Sequence, residues 1–248
     1  MERHDGLLQF RLHTEGGPFR WGPDSAARQL ELASAFRDIA ADRENRIVIL
    51  TGTGDEFIGP MANPSRDVYT EGGIAITPAN IDLAHWQHRQ MINSLLGIEV
   101  PIIAAVNGPA TRHSELALMC DIVLAAEEAT LEDTAHFHLG GLVPGDGINI
   151  VYTMLLGLNR ARYFMLTGQV LSATDDQALG LVNEVLPRLE LMPRAMELAV
   201  QLGRRPDVLL RYTKLAMVQP LKKAFADGLE YFMALETIGA LGTHGQSH

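Results

Sequence analysis

Cysteine and lysine are nearly absent from this chain. Of 248 residues one is cysteine, Cys120, which excludes an intrachain disulfide and fits a reducing, cytoplasmic compartment. It sits in the apolar run LALMCDIVLAA, where a buried inert thiol is expected rather than a nucleophile. Only Lys214, Lys222 and Lys223 carry ammonium groups, all near the C-terminus, and the formal charge is −10. Nucleic acid needs clustered basic groups to neutralise phosphate, so a nucleic-acid partner is not expected. The N-terminus lacks a basic-then-apolar leader pattern, and no apolar run is long enough to cross a bilayer, so no membrane partner is expected either. GxGxxG at a strand–helix junction, GxxxxGK[ST], HExxH and paired CxxC are missing. Nothing therefore argues for a nucleotide cofactor or a metal: His136 and His138, at i and i+2, would point to opposite faces of a strand.

What is present is an α/β pattern. Hydrophobic residues make up 47% and charged residues 20%, enough for a substantial core. Strands are expected at Leu7–His13, Arg46–Leu50, Pro101–Val106 and Asp121–Ala126, with helices from Asp24 or Ser25 to Ala41 and from Pro78 to Leu96. This alternation suggests βαβ connections. Residues Gly54 to Pro78 read as a long loop. Further helices are expected from Asp146 to Leu155, Arg160 to Leu166 and Ser172 to Leu179, with a short strand after Gly180. From Leu189 only helical patterns remain, at Leu189–Leu202, Pro206–Val218 and Leu221–Leu235, with a boundary near Pro187 and a loose final GTHGQSH. Leu229, Tyr231, Phe232, Met233 and Leu235 are apolar enough to dock on another surface, either within the chain or on a partner subunit.

Titratable residues gather where buried strands end. His113 lies between a strand and a helix starting near Ser114, either turned to solvent or placed to donate to a developing oxyanion. Glu115 is a site carboxylate or a first-turn residue favoured by the helix dipole. Asp146 is an N-cap or the carboxylate that holds one nitrogen of His136, leaving the other as a base. His136 itself is that base or a loop histidine bonded to backbone. Trp21, among Gly and Pro, suits the lining of an apolar pocket. Trp86 reads as packing, and His85 and His88 as helix surface or interface residues.

The segments IVILTGTGDEF, PIIAAVNGPA, ELALMCDIVLAAEEATL, GLVPGDG and RARYFMLTGQVLSATDDQALGLVNEVLP resemble the crotonase (enoyl-CoA hydratase/isomerase) superfamily over nearly the whole chain. The resemblance implies a crotonase-like spiral of repeated ββα turns over residues 1–187. It also implies a C-terminal helical region, 188–248, that builds a homotrimer or a dimer of trimers. Thioester-using relatives carry glycines after AAVNG and a glutamate pair. Here His113 stands where the glycines would be, Glu115 matches the first glutamate, and His136 replaces the second. These departures are similar to the β-diketone hydrolase branch, typified by 6-oxocamphor hydrolase: Trp21, an NGPxTxH turn (Asn107–His113), a DxxHF element (Asp133–Phe137) and GxVPGDG (Gly141–Gly147). The implied activity is hydrolytic carbon–carbon cleavage of a cyclic, non-enolisable β-diketone, without cofactor or metal. A CoA-thioester hydratase or hydrolase of the same fold is the alternative. The implied catalytic set is His136, Asp146, His113 and Glu236, with Glu230 a weaker match than Glu236. Trp21, Phe137, Leu139 and Glu115 would line the pocket for a small apolar cyclic diketone.

Overall fold

The computed structural model describes residues 1–21, 25–59, 77–139 and 141–244. Asp24, most of the Gly54–Pro78 loop, Gly140 and the last four residues, on which expectations were also placed, lie outside them. The chain runs β1 (Glu2–His4), β2 (Leu7–Arg11), α1 (Ser25–Ala41), β3 (Ile47–Thr51), α2 (Pro78–Leu96), β4 (Ile102–Val106), α3 (Glu115–Leu118) and β5 (Ile122–Ala126). It continues with β6 (Thr130–Leu131), α4 (Ile148–Leu156), α5 (Leu158–Thr167), β7 (Leu171–Ser172), α6 (Ala173–Leu179), β8 (Glu184–Leu186), α7 (Arg188–Gly203) and α8 (Asp207–His244).

Strands β2, β3, β4, β5 and β8 pair in parallel in that order, and β1 closes the edge antiparallel to β2. The central strands β3 and β4 are buried at every position because both faces are covered. Val48, Leu50, Ile102, Ala104 and Val106 point into one core with Phe36 of α1 and Met91 and Leu95 of α2. Their alternates Ile47, Ile49, Ile103, Ala105 and Leu124 meet Leu191, Ala195 and Ala199 of α7. The period of two along a strand sorts the residues between the two layers.

A second, narrower ladder runs beside the sheet. Parallel bridges link Arg20 to Gly59, Ile58 to Ala110 and Ala110 to Leu131, and β6 then pairs with β7. Successive turns of chain thus contribute one strand to the main sheet and one short step to this ladder, which is the expected spiral. Trp21, His113 and His136 each follow a ladder residue within a few positions. The coil of the chain stacks them.

Several expectations are corrected. Pro206–Val218 and Leu221–Leu235 are one helix, α8, with Pro220 inside it; flanking apolar packing carries the helix through a residue that usually ends one. Leu229 and Met233 dock within the chain, in its core, as one of the two alternatives had it, while Tyr231 is exposed. Trp86 is 44% exposed and so is not a packing residue within this chain. The β1–β2 hairpin and the β6–β7 pair are too short to leave a periodic signal. Cys120 is buried as expected, with Sγ donating to the Leu116 carbonyl and its pKa pushed up to about 12 by burial.

Candidate active site

The turn after β4 is built by Asn107. Its Nδ2 donates to the carbonyls of Gly54 and Glu56, and its Oδ1 accepts from the Gly52 N–H. A side chain at position 108 would meet the Asp55 carbonyl at 1.9 Å, so only glycine lets the two loops close. His113 then adopts φ 51, the left-handed region. For a residue with a Cβ this costs about 1 kcal/mol or more. The cost is offset by what the ring gains. Nδ1 lies 2.8 Å from Glu115 Oε1 and 3.4 Å from Asp146 Oδ2, and the Trp21 ring centroid is 4.4 Å away.

His113 is therefore buried in the site and is not a solvent-facing turn residue. Glu115 is wholly buried and meets the site through His113; burial raises its pKa, against the pull of His113. It supports His113 rather than lining an apolar pocket. Trp21 is also fully buried, and its indole N–H has no hydrogen-bond partner among the described residues. An unpaired buried donor is costly unless a ligand takes it.

His136 is held more firmly than the sequence suggests. Asp133 Oδ1 accepts from the backbone N–H groups of Ala135 and His136, each at 3.2 Å, and from His136 Nδ1 at 2.8 Å. The orienting carboxylate is therefore Asp133, three residues earlier, and not Asp146. Asp146 lies on the other side of the ring, with Oδ2 3.5 Å from Nε2. Its Oδ1 accepts the Ile148 N–H at 3.2 Å, but the N-cap of α4 is Gly147, so Asp146 stands one residue before the cap and faces His136 without orienting its ring.

Charge follows from this geometry. Burial alone would lower the pKa of His136, but Asp146, Asp133 and Glu236 outweigh it and raise it to about 10. The carboxylates on either side of the ring thus favour its imidazolium form. Burial opposes the Asp146 charge, yet His136, His113 and His88 together hold its pKa well below the usual range. Glu236, from α8, reaches the same cluster; burial, then the Asp146 charge, raise its carboxyl to about 7. Glu230 is exposed and pairs with Arg89 at 3.0 Å, whereas Glu236 faces the cluster.

Two expected pocket residues are not brought in. After His136 the chain makes a tight turn, with the N–H groups of Leu139 and Gly141 both bonded to the His136 carbonyl. The turn throws Phe137 and Leu139 outward, where they are 57% and 60% exposed. Besides Asp133, one more residue was missed. His88, expected on a helix surface, is buried against the Asp146 backbone and the His113 ring. Its spacing in α2 follows the buried stripe of Met91, Ile92 and Leu95, which was the available signal.

His113, Glu115 and Asp146 offer ligand atoms within 4.8 Å of one another and are the one group among the described residues that could hold a metal ion. Their 2.8 Å N···O contact is hydrogen-bond geometry. As it stands, the site gathers the imidazoles of His88, His113 and His136 with the carboxyls of Glu115, Asp133, Asp146 and Glu236. That is equipment for acid–base chemistry on a carbonyl substrate.

The enoyl-CoA hydratase/isomerase family model matches residues 25–236. The chain is 40% identical to a β-diketone hydrolase from the cyanobacterium Anabaena, solved with bound (S)-3-oxocyclohexyl acetic acid. That likeness covers 98% of this chain and 93% of the other, with a TM-score of 0.89. It is 30% identical to a probable peroxisomal enoyl-CoA hydratase of Arabidopsis thaliana over 82% of this chain and 70% of the relative. It is 32% identical to a putative enoyl-CoA hydratase of Thermus thermophilus over 79% and 76%. With the spiral, the C-terminal helices and the His/Asp/Glu cluster in place, the chain belongs to the enoyl-CoA hydratase/isomerase, or crotonase, family.

Proposed function

We propose that this enzyme is a β-diketone hydrolase that cleaves a carbon–carbon bond of a cyclic, non-enolisable β-diketone to give a keto acid. The observation that carries the reading is the carboxylate of Asp146 lying between two buried imidazoles, 3.4 Å from one and 3.5 Å from the other. The likeness to the Anabaena enzyme adds support, since its bound molecule is itself a keto acid. Joining the carboxyl carbon of that acid to a ring carbon beside its ketone regenerates a bridged bicyclic 1,3-diketone. A bridgehead between two carbonyls resists enolisation, so water can add without losing the substrate to a stable enolate.

In the reaction, His136 in its imidazole form takes a proton from water at Nε2 as the oxygen adds to one carbonyl. Asp133 fixes the ring from Nδ1, the role of an orienting third group. Collapse of the adduct breaks the carbon–carbon bond; its electron pair becomes the enolate of the second ketone. His113 and the unpaired Trp21 N–H stabilise the charge on that oxygen. Nε2 then returns its proton to the enolate carbon; the choice of carbonyl attacked, and any substituent on that carbon, set the stereochemistry of the keto acid. Atoms balance as diketone plus water to keto acid, with no cofactor or metal. Asp146 steadies the imidazolium so formed, and Glu236 positions the water or a carbonyl. The substrate is a small apolar cyclic diketone, and the working assembly is a homotrimer or a dimer of trimers. Support for that assembly comes from Tyr212, Met217, Tyr231 and Ile238, which lie exposed along α8.

A panel of monocyclic and bridged β-diketones, 6-oxocamphor among them, followed for release of carboxylic acid tests the reading. Turnover of bridged members supports it. Saturable acyl-CoA binding by calorimetry, with no turnover of any diketone, would replace it with thioester chemistry.

A further inference from the structure

His88 is packed into the site, yet no step above uses it. It is 3% exposed, on α2, and its Nε2 lies at hydrogen-bond distance from the backbone carbonyl of Asp146. A carbonyl has no proton, so Nε2 carries one and donates. Nδ1 must then accept, and the Gln29 amide nitrogen on α1 is 3.3 Å away to donate to it. The His88 ring is stacked on that of His113, with centroids 6.0 Å apart and planes 29° from parallel.

Asp146 needs such a hold. It sits in the sequence Pro-Gly-Asp-Gly between two glycines, one with φ 109, and belongs to no strand. Its Oδ1 is fixed by the Ile148 N–H, but its backbone carbonyl has only the His88 ring as a partner among the described residues. We propose that His88 is a positioning residue: by donating to the Asp146 carbonyl, with Gln29 fixing its tautomer, it holds the Asp146 carboxylate at equal reach of His113 and His136. The proposal rests on the diketone reading for its kinetic consequence, and on geometry alone for its structural one. Burial pushes the His88 pKa down to about 4, so the ring stays neutral and does not compete as an acid or base near pH 7.

Two variants separate the donor from the ring. His88→Phe keeps an aromatic face toward His113 and removes the N–H. His88→Gln removes the ring and keeps an N–H at similar reach. The Phe variant is expected to lose kcat about tenfold with KM changed by less than roughly twofold, and the Gln variant to recover most of that loss. Ring-nitrogen NMR gives a second reading that needs no turnover. The groups facing His136 are Asp133, Asp146 and Glu236. With Asp146 released, His136 should titrate at lower pH in His88→Phe than in the wild type, and near the wild-type value in His88→Gln. Equal losses in both variants, or an unchanged His136 titration in His88→Phe, overturn the proposal. If the Phe variant does not fold, Gln29→Leu, which strips the tautomer-fixing donor, must lower kcat and the His136 titration in the same sense or the proposal fails. A wild type inert toward every diketone would sink the reaction assignment, while the NMR comparison would still decide the role of His88.

Discussion

At the scale of single residues, the two histidines have opposite support. His113 has one ring nitrogen on a fully buried glutamate, while His136 has a carboxylate at each nitrogen. Because only the imidazole form can accept water's proton, kcat/KM should rise with pH through neutrality and level off toward about pH 10, the value to which Asp146, Asp133 and Glu236 raise His136 against burial. Asp133→Asn removes one of these charges and should move the profile to lower pH while lowering the plateau. A stopped-flow pH series on both proteins checks this; a wild-type rate that falls as pH rises through about 10 would make Asp146 the base and His136 the acid. His113→Ala should cost about 10²–10³ in kcat through loss of the oxyanion donor, with folding retained by circular dichroism. His113, His136 and Asp146 were legible because their types and their place at strand ends are unusual. The partner of His136 was not legible. Two carboxylates lay within reach along the chain, and only the turn at Asp133 decides which one meets Nδ1. His88 was hidden because a helical histidine reads the same whether its face is wet or buried.

At the scale of elements, the site depends on α8 lying close to the Asp146 loop. A Cβ at Gly145 would stand 2.3 Å from the Phe232 carbonyl and 2.7 Å from the Glu236 Cβ, so backbone and helix touch there. Gly145→Ala must push α8 and Glu236 away. The expected result is activity reduced at least tenfold and a Tm lowered by several degrees, read by kinetics and differential scanning calorimetry on one preparation. A fully active, equally stable variant would show that α8 does not carry a site group. Element boundaries were largely legible: α2 begins at Pro78, as expected, where Thr77 caps it by accepting the Asn80 N–H at 3.3 Å. The exposure of Phe137 and Leu139 was not, because a hydrogen-bonded turn replaces the extended segment that an apolar pair suggests.

At the scale of the whole molecule, one buried group sets a pH dependence unrelated to catalysis. Asp176 on α6 is 1% exposed, and one of its carboxyl oxygens has no partner among the described residues. Burial, then the charge of Asp175, raise its pKa to about 8. The folded state therefore favours the neutral acid. Stability from this group is complete below about pH 4, the unfolded value, and is lost as pH rises through about 8. Asp176→Asn should match the wild type near pH 4 and melt about 5 °C higher at pH 9, measured by calorimetry; equal melting at both pH values would contradict a neutral buried acid. The spiral and its family were legible from strand runs and motifs spread over the chain. The unity of α8 was not, since Pro220 carries a local signal for a break that only packing overrides. The central claim, that a His136–Asp146 pair facing His113 hydrolyses a β-diketone, is tested most directly by mass spectrometry of the product formed from a bridged bicyclic 1,3-diketone in heavy-oxygen water. The account predicts a keto acid with one solvent oxygen in its new carboxylate from the wild type, and none from a folded His136→Ala variant. No acid from the wild type, or undiminished acid from the variant, would contradict it.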